Sequence, residues 1–388
     1  MKKLLFINQA INSNTYKLFS LLSRKAGKGY LLTGTKKLWD SPELDTVKVV
    51  SHKPRNYLTR IISWFRFIFQ IHKWLRVRIN KMDHIVVYTN PPIAPIYIYL
   101  MTRKKRIGYT VVVWDIYPGL LEKTFPYFLL KPLFSLWHNL NRKTYDNAES
   151  IVTLGNEMAE IISDDMCDET KLNVIPNWSD PERIRPVLPE DNLFIKEHNV
   201  EDKFIVMYSG KMGLGHEIQT VLKAAEHCIN DRILFVFIGF GPGVKMVKRY
   251  IRNSARNNVR YYPFQPEEMF VHSIAAGNIG IVSQVRGLEK YFMPSKTYDM
   301  MAAGMPIIAI SSEDNDLRST VEEEGIGFNI DAGDWNTLLE TIQRLIKDNE
   351  LLSELSDIAR RSVESNYNIN AVIDKYIDIV GMFEDNDN

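Results

Sequence analysis

Short apolar runs separated by helical patterns recur along nearly the whole chain, and that alternation limits the fold more than any single residue does. Residues 4–7, 47–50, 85–88, 109–114 and 150–154 read as strands, with helical patterns from about 16, over 57–80, over 93–101 and through 147. A strand–helix–strand order of this kind predicts a parallel sheet covered by helices. Pro176, Pro181, Pro186 and Pro189 then crowd one stretch and mark a hinge. A second alternating series follows, with strands at 204–208, 234–238, 259–262, 279–282, 307–310 and 328–330, and three closing helices. At 388 residues the chain exceeds one ordinary core. The expected class is α/β, with two Rossmann-like domains facing a cleft, over 1–185 and 186–366. A last helical segment, 367–388, ends in a polar tail at 384–388.

Composition removes several function classes. A net charge of +1 argues against wholesale nucleic-acid binding. The two cysteines, Cys167 and Cys228, have neither metal-ligand spacing nor a disulfide framework, and fit a reducing cytoplasm. No apolar leader follows Lys2 and Lys3, so no signal peptide is expected. Residues 85–102 carry no charge, but Pro91, Pro92 and Pro95 fit a strand, a turn and a new helix better than a membrane span.

Chemistry concentrates in 292–310. Pro294 stops a loop, Ser295 is placed as a helix N-cap, Lys296 follows, and Asp299 comes one turn later, before Gly304, Pro306 and a buried strand. A helix start beside a lysine suits a diphosphate, and a nearby carboxylate suits ribose hydroxyls. Upstream, Gly210, Gly213 and Gly215 lie between a strand and a helix, where backbone can approach a phosphate or simply make a turn.

These segments resemble the signature of family 4 retaining glycosyltransferases, which have the GT-B fold. The likeness rests on Pro294 to Pro306, Gly210-Lys211-Met212-Gly213-Leu214-Gly215-His216, Ile238-Gly239-Phe240-Gly241-Pro242 and Ile175-Pro176-Asn177-Trp178-Ser179-Asp180. Asn90-Pro91-Pro92 and Trp114-Asp115-Ile116-Tyr117-Pro118 are similar to the branch that builds bacterial capsule, O-antigen and colanic-acid-type polysaccharides. The resemblance implies that Lys211 neutralises the leaving diphosphate and that the last helix crosses back onto the first domain. It places Asp299 on the ribose, where the family has the second of two glutamates. Tyr291 stands where the first belongs, and Glu289, two residues earlier, either reaches the sugar or is a solvated loop charge. Many relatives carry a second basic residue where this chain has His216-Glu217. Either Lys296 or His216 takes that role or the site is weaker, and His216 alternatively caps a helix. Phe264 corresponds to a base-binding loop and either lies against uracil or packs in the core. Asp115 is implied to face the reacting sugar or acceptor, as a base or an orienting group, unless it caps the helix read over 117–123.

The helix at 57–80 adds a partner. Thr59, Ser63, Arg66, Gln70, Lys73, Arg76 and Asn80 form a narrow polar stripe, and bulky apolar residues fill most other positions. No acid occurs between Lys53 and Met82, and Arg103-Lys104-Lys105-Arg106 follows. A second apolar flank of this kind resembles an interfacial membrane helix; the alternative is a fully buried core helix. The expected function is metal-independent, cofactor-free transfer of a sugar from a UDP-sugar to a polyprenyl-diphosphate-linked acceptor, with retention implied by the resemblance alone. The expected location is the inner face of the cytoplasmic membrane. A UDP-sugar 2-epimerase of the same fold and a non-catalytic nucleotide-sugar-binding subunit are the alternatives.

Overall fold

The structure, a computed structural model, describes residues 2–35, 39–49, 57–124, 128–312 and 314–381. Val50, Lys53 and the tail 384–388, named above, lie outside the described residues. The chain divides into two compact units, Met1–Pro176 with Ile369–Asn388, and Asn177–Asn368.

In the first unit seven parallel strands form one sheet: β1 (Lys2–Ile7), β2 (Gly27–Thr33), β3 (Leu44–Lys48), β4 (His84–Tyr88), β5 (Gly108–Val112), β6 (Ser150–Thr153) and β7 (Leu172–Val174). Their order is β3-β2-β1-β4-β5-β6-β7, so the chain reverses direction across the sheet between β1 and β4. β1 and β4 supply a fully apolar centre, with Leu4, Leu5, Phe6, Ile85 and Val87 buried. Continuous apolar runs are what a parallel sheet covered on both faces requires. The stretch 85–102 resolves into β4 and the helix Ala94–Thr102. Among the described residues no helix is long and apolar enough to cross a membrane.

The helix Ile369–Ile379 packs on the helix Ser13–Ala26 of the first unit, where Asp374 lies 3.8 Å from Lys25. Residues 177–185, expected to end the first domain, pack in the second unit. Arg360 explains this: its guanidinium donates to Pro181 O at 2.9 Å, Ile184 O at 2.8 Å and Ala302 O at 2.6 Å.

The second unit has six parallel strands: β8 (Phe204–Lys211), β9 (Ile233–Phe240), β10 (Val259–Tyr262), β11 (Ile279–Ser283), β12 (Ile307–Ile310) and β13 (Gly327–Ile330). The order β10-β9-β8-β11-β12-β13 reverses between β8 and β11. Loops at the carboxyl ends of such a pair diverge and leave a crevice, the usual ligand position in open α/β sheets.

Candidate active site

β8 and β9 approach so closely at their ends that a side chain cannot fit. Gly239, at φ +140°, pairs with Gly210, and a Cβ on it would lie 1.9 Å from Gly210 O. Gly210 itself has φ +122°, and a Cβ there would meet Lys296 Cε at 3.3 Å and Nζ at 3.7 Å. Lys296 begins the helix Lys296–Ala302 after β11. Its Nζ sits 3.7 Å from the centroid of the Tyr208 ring and 3.5 Å from Lys211 O. Lys211 closes β8 with an exposed side chain. A Cβ on Gly213 would stand 3.3 Å from Lys211 Cε and 3.4 Å from His216 Nδ1. The glycines thus clear a corner into which Lys211, Lys296 and His216 all project.

The corner is electrostatically loaded. Burial and then the Lys211 charge hold the Lys296 ammonium well below its ordinary pKa. Burial, Lys296 and Lys211 push the His216 imidazole well below its ordinary value. His216 Nδ1 is buried without a hydrogen-bond partner among the described residues. Both side chains keep partial access to solvent. Cationic groups that repel protons because they face one another recover them when an anion enters.

Asp299 stands one turn along the Lys296–Ala302 helix. Burial raises its carboxyl from 3.8 to about 6, opposed by the Ser179 hydrogen bond and the Arg183 charge. Ser179 Oγ donates to Asp299 Oδ1 at 2.7 Å, so the hinge sequence supplies the carboxylate's orienting partner. Glu289 is no solvated loop charge, being only 2% exposed. Ser312 N donates to its Oε1 at 3.1 Å, and its Oε2 has no partner among the described residues. Gln284, which sequence reasoning missed, braces this loop by donating from Nε2 to Glu289 O at 2.9 Å and Phe292 O at 2.8 Å. A lone glutamine at a strand end gives no warning of such a role.

Other expectations need revision. Ser295 occupies the position before the helix, but its side chain makes no capping hydrogen bond. The helix start is instead tied by Thr297, whose Oγ1 donates to Pro294 O at 2.8 Å. His216 is not a helix cap either, because Glu217 does that work. Glu217 Oε1 accepts from Thr220 N at 2.8 Å, which explains the acid where a second cation was sought. Phe264 is not a core residue: it is 58% exposed beyond β10, edge-on to Phe240 at 6.1 Å. Asp115 lies in the first unit, past the end of β5, with its backbone N donating to Thr89 Oγ1 at 3.4 Å. The following helix is Gly119–Thr124.

Sequence comparison meets the same unit. Residues 190–362 match the family model described as glycosyl transferases group 1. The chain carries a group 1 glycosyltransferase domain. That domain holds Lys211, His216, Glu289, Lys296 and Asp299. A probable glycosyltransferase, WbjE of Pseudomonas aeruginosa, is 26% identical over 336 residues, covering 83% of this chain and 81% of its own. An Escherichia coli UDP-Gal:alpha-D-GlcNAc-diphosphoundecaprenol alpha-1,3-galactosyltransferase is 23% identical over 59% of this chain and 60% of its own length. Anabaena Alr3699/HepE, solved with UDP-glucose, superimposes with a TM-score of 0.74 at 14% identity, over 99% of this chain and 100% of that one. The fold is GT-B, and the similar sequences are sugar transferases, which supports a transferase for this glycosyltransferase domain.

Proposed function

We propose that this protein transfers a sugar from a UDP-sugar to a lipid-linked saccharide acceptor in cell-surface polysaccharide synthesis, retaining the anomeric configuration. The observation that carries the reading is the convergence of Lys211, Lys296 and His216 on the space cleared by Gly210 and Gly213. A diphosphate there neutralises three groups that otherwise repel one another, and it stabilises charge as the sugar–phosphate bond breaks. Gly210 and Gly213 let that diphosphate approach the backbone. Ser295 and Lys296 border it from the helix start, Asp299 accepts from ribose hydroxyls, and Glu289 lies toward the sugar. Phe264, exposed next to Phe240, offers a ring to the base. Asp115 serves the acceptor hydroxyl as base or orienting group.

The cationic side chains supply the charge stabilisation that a metal provides elsewhere, so the reading is metal-independent and needs no cofactor. The relative that acts on a diphosphoundecaprenol substrate supports the acceptor class. Calorimetry with UDP and transfer assays with a panel of UDP-sugars and a polyprenyl-diphosphate saccharide test the proposal. Transfer that persists in EDTA and disappears in Lys211→Ala and Asp299→Ala is expected. Transfer abolished by EDTA would refute the metal-independent part. Conversion of UDP-GlcNAc without acceptor would replace it with epimerase chemistry.

A further inference from the structure

Asn90 stands two residues past β4, and Pro91 and Pro92, having no N–H, end the ladder there. β1, β4 and β5 are adjacent and parallel, and the chain reverses direction between β1 and β4. The residues just past their carboxyl ends are Asn8 and Gln9, Thr89 and Asn90, and Trp114 and Asp115. They border the crevice that such a reversal leaves in the first sheet.

These ends are joined to one another. Gln9 N donates to Asn90 O at 2.7 Å, and Trp114 N donates to Thr89 Oγ1 at 3.0 Å. The hydrogen bonds also fix which way the Asn90 amide faces. Its Nδ2 donates to Asn8 Oδ1 at 2.9 Å and to Ala10 O at 3.2 Å, two acceptors that only a donor can meet. Asn8 Oδ1 is itself held as an acceptor, because Ala10 N donates to it at 3.2 Å. Asn90 Oδ1 is left over, without a partner among the described residues, on a side chain that keeps partial exposure.

Packing alone does not account for these amides. Asn8 and Gln9 are fully buried, yet Asn8 Nδ2 and Gln9 Oε1 have no partner among the described residues. Buried polar groups nearly always find one, and apolar residues would fill the space without that cost. Chemistry shows what the arrangement suits. The free oxygen of Asn90 can only accept, and Asp115 brings a carboxyl group at the end of the next strand. Residues 8–12, 89–93 and 114–118 contain no Lys or Arg. Arg60, which reaches the last of these loops, is engaged by the Tyr117 hydroxyl at 2.9 Å and lies over the Trp64 ring at 5.4 Å. A diphosphate has only acceptors to offer and would meet acceptors here. A saccharide offers hydroxyl and amide donors.

We propose that Asn90 Oδ1 receives a donor group, a hydroxyl or an acetamido N–H, from the saccharide of the acceptor. Asn8 is the positioning residue that holds the Asn90 amide in that sense. The crevice thereby takes the sugar of a lipid-linked acceptor and not its diphosphate. This rests on the proposed function, in which Asp115 serves the acceptor hydroxyl.

Transfer kinetics with undecyl-diphosphate N-acetylglucosamine as acceptor, and undecyl diphosphate without the sugar as competitor, test the assignment. Asn90→Ala should raise the acceptor KM by about tenfold, the loss of one hydrogen bond, with the UDP-sugar KM and the competitor's inhibition constant within about twofold of the unaltered values. Asn8→Ala should raise the acceptor KM by about threefold in the same selective way. An unchanged acceptor KM in Asn90→Ala overturns the proposal. A competitor constant that rises with the acceptor KM also overturns it, by placing the diphosphate in the crevice. So does an equal loss toward both substrates, which marks the amide as merely structural. Hydrogen exchange on the unaltered protein depends on no variant's folding. The glycosylated acceptor should slow exchange across 8–11 and 89–90 while undecyl diphosphate does not, and equal slowing by both, or none by either, overturns the assignment. Absence of transfer by the unaltered protein would refute the proposed function, and the exchange result would still decide the role of Asn90.

Discussion

A carboxyl group whose pKa is raised toward neutrality binds its ligand in a pH-dependent way. Asp299 is raised to about 6 by burial, while the Ser179 hydroxyl pulls the other way. UDP affinity measured by calorimetry should fall as pH drops through about 6, where the carboxyl takes up a proton and loses acceptor capacity. Ser179→Ala should move that limb to higher pH. Stability has the opposite sign: a folded value above the unfolded one makes this group's contribution most favourable below 3.8 and lost as pH rises through about 6. Gly239 tests the corner's shape. Gly239→Ala places a Cβ 1.9 Å from Gly210 O and should cost about 3 kcal/mol or more in urea unfolding. Gly287, at φ +81° with nothing within 4 Å of an added Cβ, should tolerate alanine for about 1 kcal/mol of backbone strain. The sequence marked both ends of this corner, Gly210-Lys211 and Ser295-Lys296, because each sets a lysine beside a turn or a helix start, although the glycines alone could equally have made a plain turn. It was silent on Gln284 and on the burial of Glu289, since nothing local shows which way a loop side chain turns.

Among elements, continuous apolar strands were readable, whereas a strand entered without a turn and a three-residue edge strand were not. β8 and β9 announce themselves through continuous apolar runs and their glycine ends. β2 was missed because the preceding helix ends at Ala26 and the strand starts immediately at Gly27, φ +110°, without an intervening turn. β7 has only three residues and lies at the sheet edge, too short for any periodicity. Glu217 shows how an element can disguise a residue's purpose. Read by resemblance it is a missing cation; read by geometry it caps the helix Gln219–His227 through Thr220 N. Glu217→Ala should lower stability by about 1 kcal/mol, seen as a shifted urea midpoint with unchanged slope. Glu217→Gln, which keeps the acceptor, should restore most of the loss.

At the scale of the molecule, two separate cores allow the two units to respond to different variables. In the first unit His138 stands between Asp165, 3.1 Å from Nδ1, and Glu122, 3.2 Å from Nε2. The Asp165 and then the Glu122 hydrogen bonds outweigh burial and raise the imidazole from 6.5 to about 9. Its stabilisation is therefore fully present below 6.5 and lost as pH rises through about 9. Because the cluster is partly exposed, solvent screening limits its worth to about 1 kcal/mol. The pair joins the helix Gly119–Thr124, next to the Asp115 turn, to the helix Lys131–Asp146. The proposed UDP site lies elsewhere, at Lys211, Lys296, His216 and Asp299 of the second unit. At a hundredfold excess over its dissociation constant UDP should add about 2.7 kcal/mol to whatever unfolds with that site. Scanning calorimetry should then resolve two transitions. His138→Ala should lower one of them at neutral pH and leave it nearly unchanged above pH 9, while UDP raises only the other. A single transition shifted by both would show that the two units melt as one body, and the separate cores would no longer describe the protein's energetics.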